Sequence, residues 1–121
     1  MPGKILVCDH ERHVVRLLQV NLERMGWTVA PTFSGASALA KIIEDKHETM
    51  ILGSGMPDIS GQEITRLLRR NPSSHESFVL LMVDKADPEL IFQSYQDGAD
   101  MVLAKPFDVR ELSSFIPHRD D

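Results

Sequence analysis

MILGSGMPDISG, Met50 to Gly61, passes in one short stretch from an apolar run to a turn and on to the start of a helix. Met50-Ile51-Leu52 has the composition of a buried strand, and Gly53-Ser54-Gly55 that of a turn. Ser60 with Glu63 three residues on is a capping box, in which each side chain satisfies backbone N–H groups left open in a helix's first turn. In an open parallel α/β sheet the carboxyl end of a central strand borders the crevice where strand order reverses, and chemistry gathers there. The residue at that end is Gly53, which carries no side chain.

The same alternation extends outward in both directions. Lys4–Asp9 (KILVCD) is a continuous apolar run ending in an acid, the pattern of a strand covered on both faces. His13–Met25 carries Val14, Leu18, Leu22 and Met25 at helical spacing, and Gly26 follows as a left-handed stop. Trp27–Pro31 reads as a short strand whose proline suits a sheet edge. Ser34–Lys46 reads as a second helix with Leu39, Ile42 and Ile43 facing inward. After the capping box, Ile64, Leu67 and Leu68 form a buried helical face that ends at Asn71-Pro72. The polar loop Asn71–Ser77 leads to Phe78–Val83 (FVLLMV), a fourth strand apolar throughout. Asp87-Pro88 supplies a cap and a first helical position, and that helix runs to Asp97 and stops at Gly98. Asp100–Ala104 is a fifth strand, and Asp108 with Glu111 opens a last helix holding Val109, Leu112 and Phe115. Five strand–helix units predict one α/β domain, a doubly wound parallel sheet with helices on both faces. Its core is expected over about 4–116, with 117–121 a tail or the start of a linker.

Composition narrows the function. At 121 residues and 42% hydrophobic, with a mean hydropathy of -0.16, the chain suits a globular domain large enough to bury a core. No run approaches the roughly 18 apolar residues of a membrane span, and the start lacks a signal-peptide pattern, so a cytoplasmic location is expected. A single cysteine, Cys8, excludes an internal disulfide. A formal charge of -5 without a block of Lys and Arg argues against this chain gripping nucleic acid alone and favours protein partners.

Several local features, taken in order, resemble the receiver domain of response regulators over Lys4 to about Phe115. They are Asp9 after the first strand, Met56-Pro57 and Gly61 after the third, Gly98-Ala99-Asp100 before the fifth, and Lys105-Pro106-Phe107 after it. The resemblance implies a flavodoxin-like (βα)5 fold of strand order 2-1-3-4-5 and a cis bond between Lys105 and Pro106. It also implies a site: an aspartate, four residues before the proline of Met-Pro, that takes a phosphoryl group; two acids after the first strand that join it in holding Mg²⁺; a Ser or Thr ending the fourth strand; the lysine; and an aromatic readout three residues before that lysine. In this sequence those positions hold Gly53, the pair Asp9-His10, Val83, Lys105 and Val102.

Chemistry makes these departures consequential. Phosphoryl transfer to protein needs an oxygen nucleophile, which glycine lacks. Mg²⁺ demands several oxygen ligands, so one carboxylate should bind it weakly or not at all, and no cofactor or metal is expected. Val83 offers no hydroxyl and Val102 no ring. The resulting expectation is a pseudo-receiver in two-component phosphorelay signalling, not an enzyme, that works as a phosphorylation-independent interaction module. By the resemblance its partner face, and a homodimer, would use the fourth helix, fifth strand and fifth helix, with Glu89, Gln93, Asp100, Arg110 and Glu111. One alternative is phosphorylation at a substitute carboxylate, Asp9, Asp58 or Asp84, of which the latter two read more plainly as solvated loop residues. Another is a metal or anion sensor, using His10 with Cys8, Glu11 and His13 or the Gly53-Ser54-Gly55 turn beside Lys105. The plainer readings are an Asp9–Lys105 pair that is structural, a Cys8 that is a small core hydrophobe, and packing roles for Trp27 and Tyr95.

Overall fold

A computed structural model describes residues 3–117; of the expected tail, all but Pro117 lies outside them. Five strands, β1 (Lys4–Cys8), β2 (Thr28–Thr32), β3 (Thr49–Gly53), β4 (Phe78–Val83) and β5 (Met101–Ala104), form one parallel sheet in the order β2-β1-β3-β4-β5. Four helices intervene: α1 (Arg12–Arg24), α2 (Gly35–Glu44), α3 (Gly61–Arg70) and α4 (Pro88–Gln96). Strand alternation splits the core in two. Leu6, Met50, Leu52, Val79, Leu81 and Val102 face α2, α3 and α4, while Ile5, Val7, Ile51, Leu80 and Met82 face α1 and the chain's last segment.

Local signals place the helix ends. Ser60 accepts a hydrogen bond from the Glu63 N–H at 3.2 Å, the forward half of the capping box. Gly26 and Gly98 adopt φ of 97° and 114°, the left-handed region in which a helix stops. The Lys105–Pro106 bond is cis.

Three expectations need correction. Ile43 is 85% exposed, because the buried stripe of α2 runs through Gly35, Ala38, Leu39 and Ile42, and Ile43 falls a further 100° round the helix. Leu67 is exposed for the same reason, since α3 buries Gly61, Ile64, Thr65 and Leu68. The last helix is not an α-helix: Val109–Ser114 is a six-residue 3₁₀ segment, with Glu111 N–H bonded to Asp108 O and Phe115 N–H to Leu112 O. Leu112 and Ile116 anchor it in the core, and Pro117 follows immediately.

Candidate functional site

The site is assembled by strand register. Cys8 pairs with Leu52 across β1 and β3, so the next residue of each strand direction, Asp9 and Gly53, stand side by side at the sheet's carboxyl end. Val83 pairs with Ala104, and the Lys105 N–H bonds Val83 O at 2.8 Å, which fixes the lysine at the end of β5. From there its side chain reaches back over the ends of β4 and β3 toward β1.

Three carboxylates meet the Lys105 ammonium. Nζ lies 2.8 Å from Asp9 Oδ2, 2.8 Å from Glu11 Oε1 and 3.4 Å from Asp84 Oδ1. Lys105 Nζ donates to Glu11 Oε1, and it holds Asp9 Oδ2 at the same short distance as an ion pair. Burial would depress the Lys105 pKa, but the bonds and charges of Asp9 and Glu11 outweigh it, and the pKa is pushed up to about 12. The hydrogen bond from Lys105, reinforced by its charge, holds Glu11 below the usual carboxylate range. Asp9 is fully buried, and its Oδ1 accepts the Glu11 N–H at 2.9 Å, turning the chain into α1.

Gly53 gives Asp9 room to lie this way. A Cβ built on Gly53 would stand 2.6 Å from Asp9 Oδ2 and 3.0 Å from Cγ, inside non-bonded contact. Gly61 is needed for a similar close approach, since a Cβ there would stand 2.5 Å from the Gly53 carbonyl oxygen. The missing side chain at position 53 is therefore matched by a carboxylate that leans into its place.

The other expected residues fall as follows. Val83 and Val102 are buried in the layer that faces α4. The Val102 N–H donates to the Tyr95 hydroxyl at 3.1 Å, so this tyrosine of α4 covers a donor on the edge strand while its ring stays partly exposed. Trp27 is buried as packing. Asp58 is no free loop acid: it accepts the N–H groups of Gly35 and Ala36 at 3.0 and 2.9 Å, which hold its pKa below the usual range. Asp84 is exposed beside the lysine.

Ligand atoms of Asp9, His10 and Glu11 lie within 4.8 Å of one another. Cys8 is not among them, since its thiol points to Ser34 O and Met56 Sδ, both at 3.2 Å, and burial pushes its pKa up to about 11. His13 stands 3.9 Å from Glu11 but is largely exposed. The donor set does not fit Mg²⁺: Asp9 Oδ2 and Glu11 Oε1 both face the ammonium, and the remaining neighbour is an imidazole. The Gly53-Ser54-Gly55 turn does not make an anion nest either. Ser54 N–H is spent on Met82 O at 2.8 Å, and Asp84 Oδ2 lies 3.0 Å from a Cβ built on Gly55.

All of the expected partner face is exposed, Glu89, Gln93, Arg110, Glu111 and also Asp100, though Asp100 is in addition tied down within the domain. Its carboxylate binds Arg69 at 2.9 Å and the Val79 N–H at 2.8 Å. Sequence reasoning missed Glu11 as the lysine's second ligand and Phe92, 65% exposed, as an apolar centre of α4. An acid two residues past Asp9 at the mouth of a helix was the available signal for the first.

A five-stranded doubly wound sheet with an acid after β1 and a cis-prolyl lysine after β5 defines the receiver class. The model of the response regulator receiver domain family matches residues 5–116, and the chain belongs to that family. The alkaline phosphatase synthesis transcriptional regulatory protein PhoP of Bacillus subtilis is 36% identical over 117 residues, which cover 96% of this chain and 48% of that protein. The BeF3-activated DrrB receiver domain superposes with a TM-score of 0.86 at 26% identity, over 95% of this chain and 94% of its own. A Burkholderia pseudomallei response regulator with a phosphorylated aspartic acid, calcium ion and citrate superposes with a TM-score of 0.83 at 25% identity, over 93% of this chain and 65% of its own. The chain spans about half the length of the curated relatives it matches. Among the described residues no helix is long and apolar enough to cross a membrane.

Proposed function

We propose that this receiver takes no phosphoryl group and serves, in the cytoplasm, as an interaction module for a protein partner rather than as an enzyme. The observation that carries this reading is the 2.6 Å between Asp9 Oδ2 and the Cβ position of Gly53. The space beside β3 is filled by a carboxylate paired with Lys105, so no acceptor stands at position 53 and Asp9, Glu11 and the lysine are engaged with one another. Transfer needs an oxygen nucleophile poised toward the donor and a cation to offset its charge, and here neither is free.

The partner face is read on α4, β5 and the 3₁₀ segment. Phe92 and Tyr95 supply apolar area, and Glu89, Gln93, Arg110 and Glu111 a mixed-charge rim. A second copy of this chain and a different signalling protein are the two occupants to compare. One observation favours a second reading: Asp84 is an exposed carboxylate 3.4 Å from Lys105 Nζ, so of the substitute acceptors it is the best placed.

Intact-mass spectrometry after incubation with acetyl phosphate and Mg²⁺ decides between them, with a receiver that has its acceptor aspartate run in parallel to verify the donor. The proposal expects no phosphoryl adduct on this chain. An adduct that disappears in Asp84→Asn would overturn it in favour of the substitute acceptor.

A further inference from the structure

At the end of the sheet opposite Lys105, a cavity of about 440 Å³ lies between the α2–β3 and α3–β4 connections. Its wall contains His47, a side chain only 4% exposed that no step of the reading above uses. His47 Nδ1 lies 3.1 Å from Asp45 O, and because a carbonyl only accepts, Nδ1 carries the proton. Burial also lowers the His47 pKa, which keeps the ring neutral at pH 7. Nε2 is then a bare acceptor, and among the described residues it has no hydrogen-bond partner. Nε2 is not among the atoms closed off from solvent, so in a ring only 4% exposed it is the edge open to the cavity that the ring lines.

The rest of the lining shows what that ligand would be. Ser74 and Ser77 spend their hydroxyl protons on Leu68 O and His47 O, so both present lone pairs. The acids on the rim are already offset, Asp45 by Lys4 at 2.7 Å and Glu44 by Lys41 at 3.7 Å. Lys46, by contrast, makes no ion pair among the described residues, and the Asn71 side-chain amide donates no hydrogen bond. Of the charged groups that line the cavity, the Lys46 ammonium is therefore the one without an ion pair among the described residues. The same lining contains Ile43, the most exposed large hydrophobic side chain among the described residues, together with Ile42 and Met50. An aliphatic wall, an unpaired cation and a set of lone pairs demand a ligand with an apolar body, a negative group and a hydrogen-bond donor.

We propose that this cavity binds a small organic carboxylate that also carries an N–H or O–H donor. The carboxylate meets Lys46 and the Asn71 amide, the donor meets His47 Nε2, and the body packs on Ile43. The inference is independent of whether the domain is phosphorylated, since it uses none of the residues around Lys105.

Indole-3-carboxylate and 4-hydroxybenzoate serve as probes, and the neutral indole and phenol as controls, titrated into ¹⁵N-labelled protein and followed by amide shifts. The expected result is saturable binding in the millimolar range or tighter by the carboxylates, with shifts confined to residues 42–50 and 71–77. Lys46 and Ile43 are both exposed, so their variants keep the fold. Lys46→Met should weaken binding about tenfold, the usual effect of losing a charge-assisted hydrogen bond, and Ile43→Ser should weaken it several-fold. Absence of shifts through the millimolar range, shifts that map elsewhere, equal binding of the neutral controls, or unchanged affinity in both variants would each overturn the proposal.

Discussion

At Gly53 the absence of a side chain and the position of another are one fact. Asp9 is fully buried with Oδ2 2.6 Å from the Cβ position of residue 53, so a methyl group there must displace either the carboxylate or the strand. Displacing the carboxylate lengthens its 2.8 Å contact with Lys105, and displacing β3 disturbs its pairing with β1. Overpacking of this kind costs about 1–3 kcal/mol. Gly53→Ala is therefore expected to lose that much in urea unfolding, although alanine is the better residue for a strand. The two positions must also be coupled: in Asp9→Ala the methyl of residue 53 has space, and the double-mutant cycle should return an interaction of about 1 kcal/mol or more. Additive losses would mean that Asp9 does not fill the space beside Gly53. The missing acceptor was legible in the sequence because residue type alone decides it. The Asp9–Lys105 pair was legible too, as the pairing of a lysine at a strand end with the nearest carboxylate, and the structure has it at 2.8 Å. That the carboxylate would lean into the space beside Gly53 was not, since its direction follows from burial.

Among the elements, strand and helix order was legible from periodicity, and the misplacements share a cause. Ile43 and Leu67 are apolar and sit next to a buried residue in sequence, yet one step along a helix is 100° of rotation. Composition marks an apolar helix, whereas the angle that faces the sheet is set by Ala38 in α2 and by Gly61 and Thr65 in α3, small residues that let the backbone approach. The 3₁₀ segment was hidden for a different reason: a caps-and-stripe pattern does not distinguish a short α-helix from tighter i→i+3 bonding. Polar side chains that join elements were the least legible. Arg69 at the end of α3 donates from Nε to Gly98 O at 3.0 Å and from Nη1 to Ser77 O at 2.7 Å and His75 O at 3.2 Å. Nη2 adds the bond to Asp100 at 2.9 Å. One guanidinium thus fastens α3 to the entrances of β4 and β5, where the loop carbonyls have no strand partner of their own. Arg69→Ala should cost about 2–4 kcal/mol, because partly buried carbonyls lose charged donors together. Arg69→Lys should recover less than half, since a point charge cannot serve four acceptors in a plane. Urea denaturation of the two variants checks this, and a near-complete rescue by lysine would show that charge, and not the fork, joins the elements.

For the molecule as a whole, net charge and composition spoke to partners and solubility, while the dependence of stability on pH is set by groups whose environment only the fold creates. On the acid side, burial lowers the pKa of His47 from 6.5. Between the lowered value and 6.5 the unfolded chain binds a proton that the folded chain refuses, so stability is complete above about pH 6.5 and declines as pH falls. The carboxylates held below their usual range, Glu11 by Lys105 and Asp58 by the N–H groups of α2, contribute in the same direction but only near pH 4 and below. On the alkaline side the sign reverses. Burial raises the Cys8 thiol from 9.0 to about 11, and the acids around Lys105 raise it from 10.5 to about 12. The folded chain then retains protons that the unfolded chain releases, and stability is lost as pH rises through each window. The expected profile is a plateau from about pH 6.5 to 9, with each limb sloping by no more than about 1.4 kcal/mol per pH unit for each group titrating. Urea midpoints measured from pH 5 to 11 test it, and variants assign the limbs. His47→Gln should flatten the decline between pH 6.5 and 5, and Cys8→Ala should move the alkaline onset from about 9 toward 10.5. An acid limb unchanged by His47→Gln would remove the claim that His47 is kept neutral by its burial in the wall of the cavity it lines.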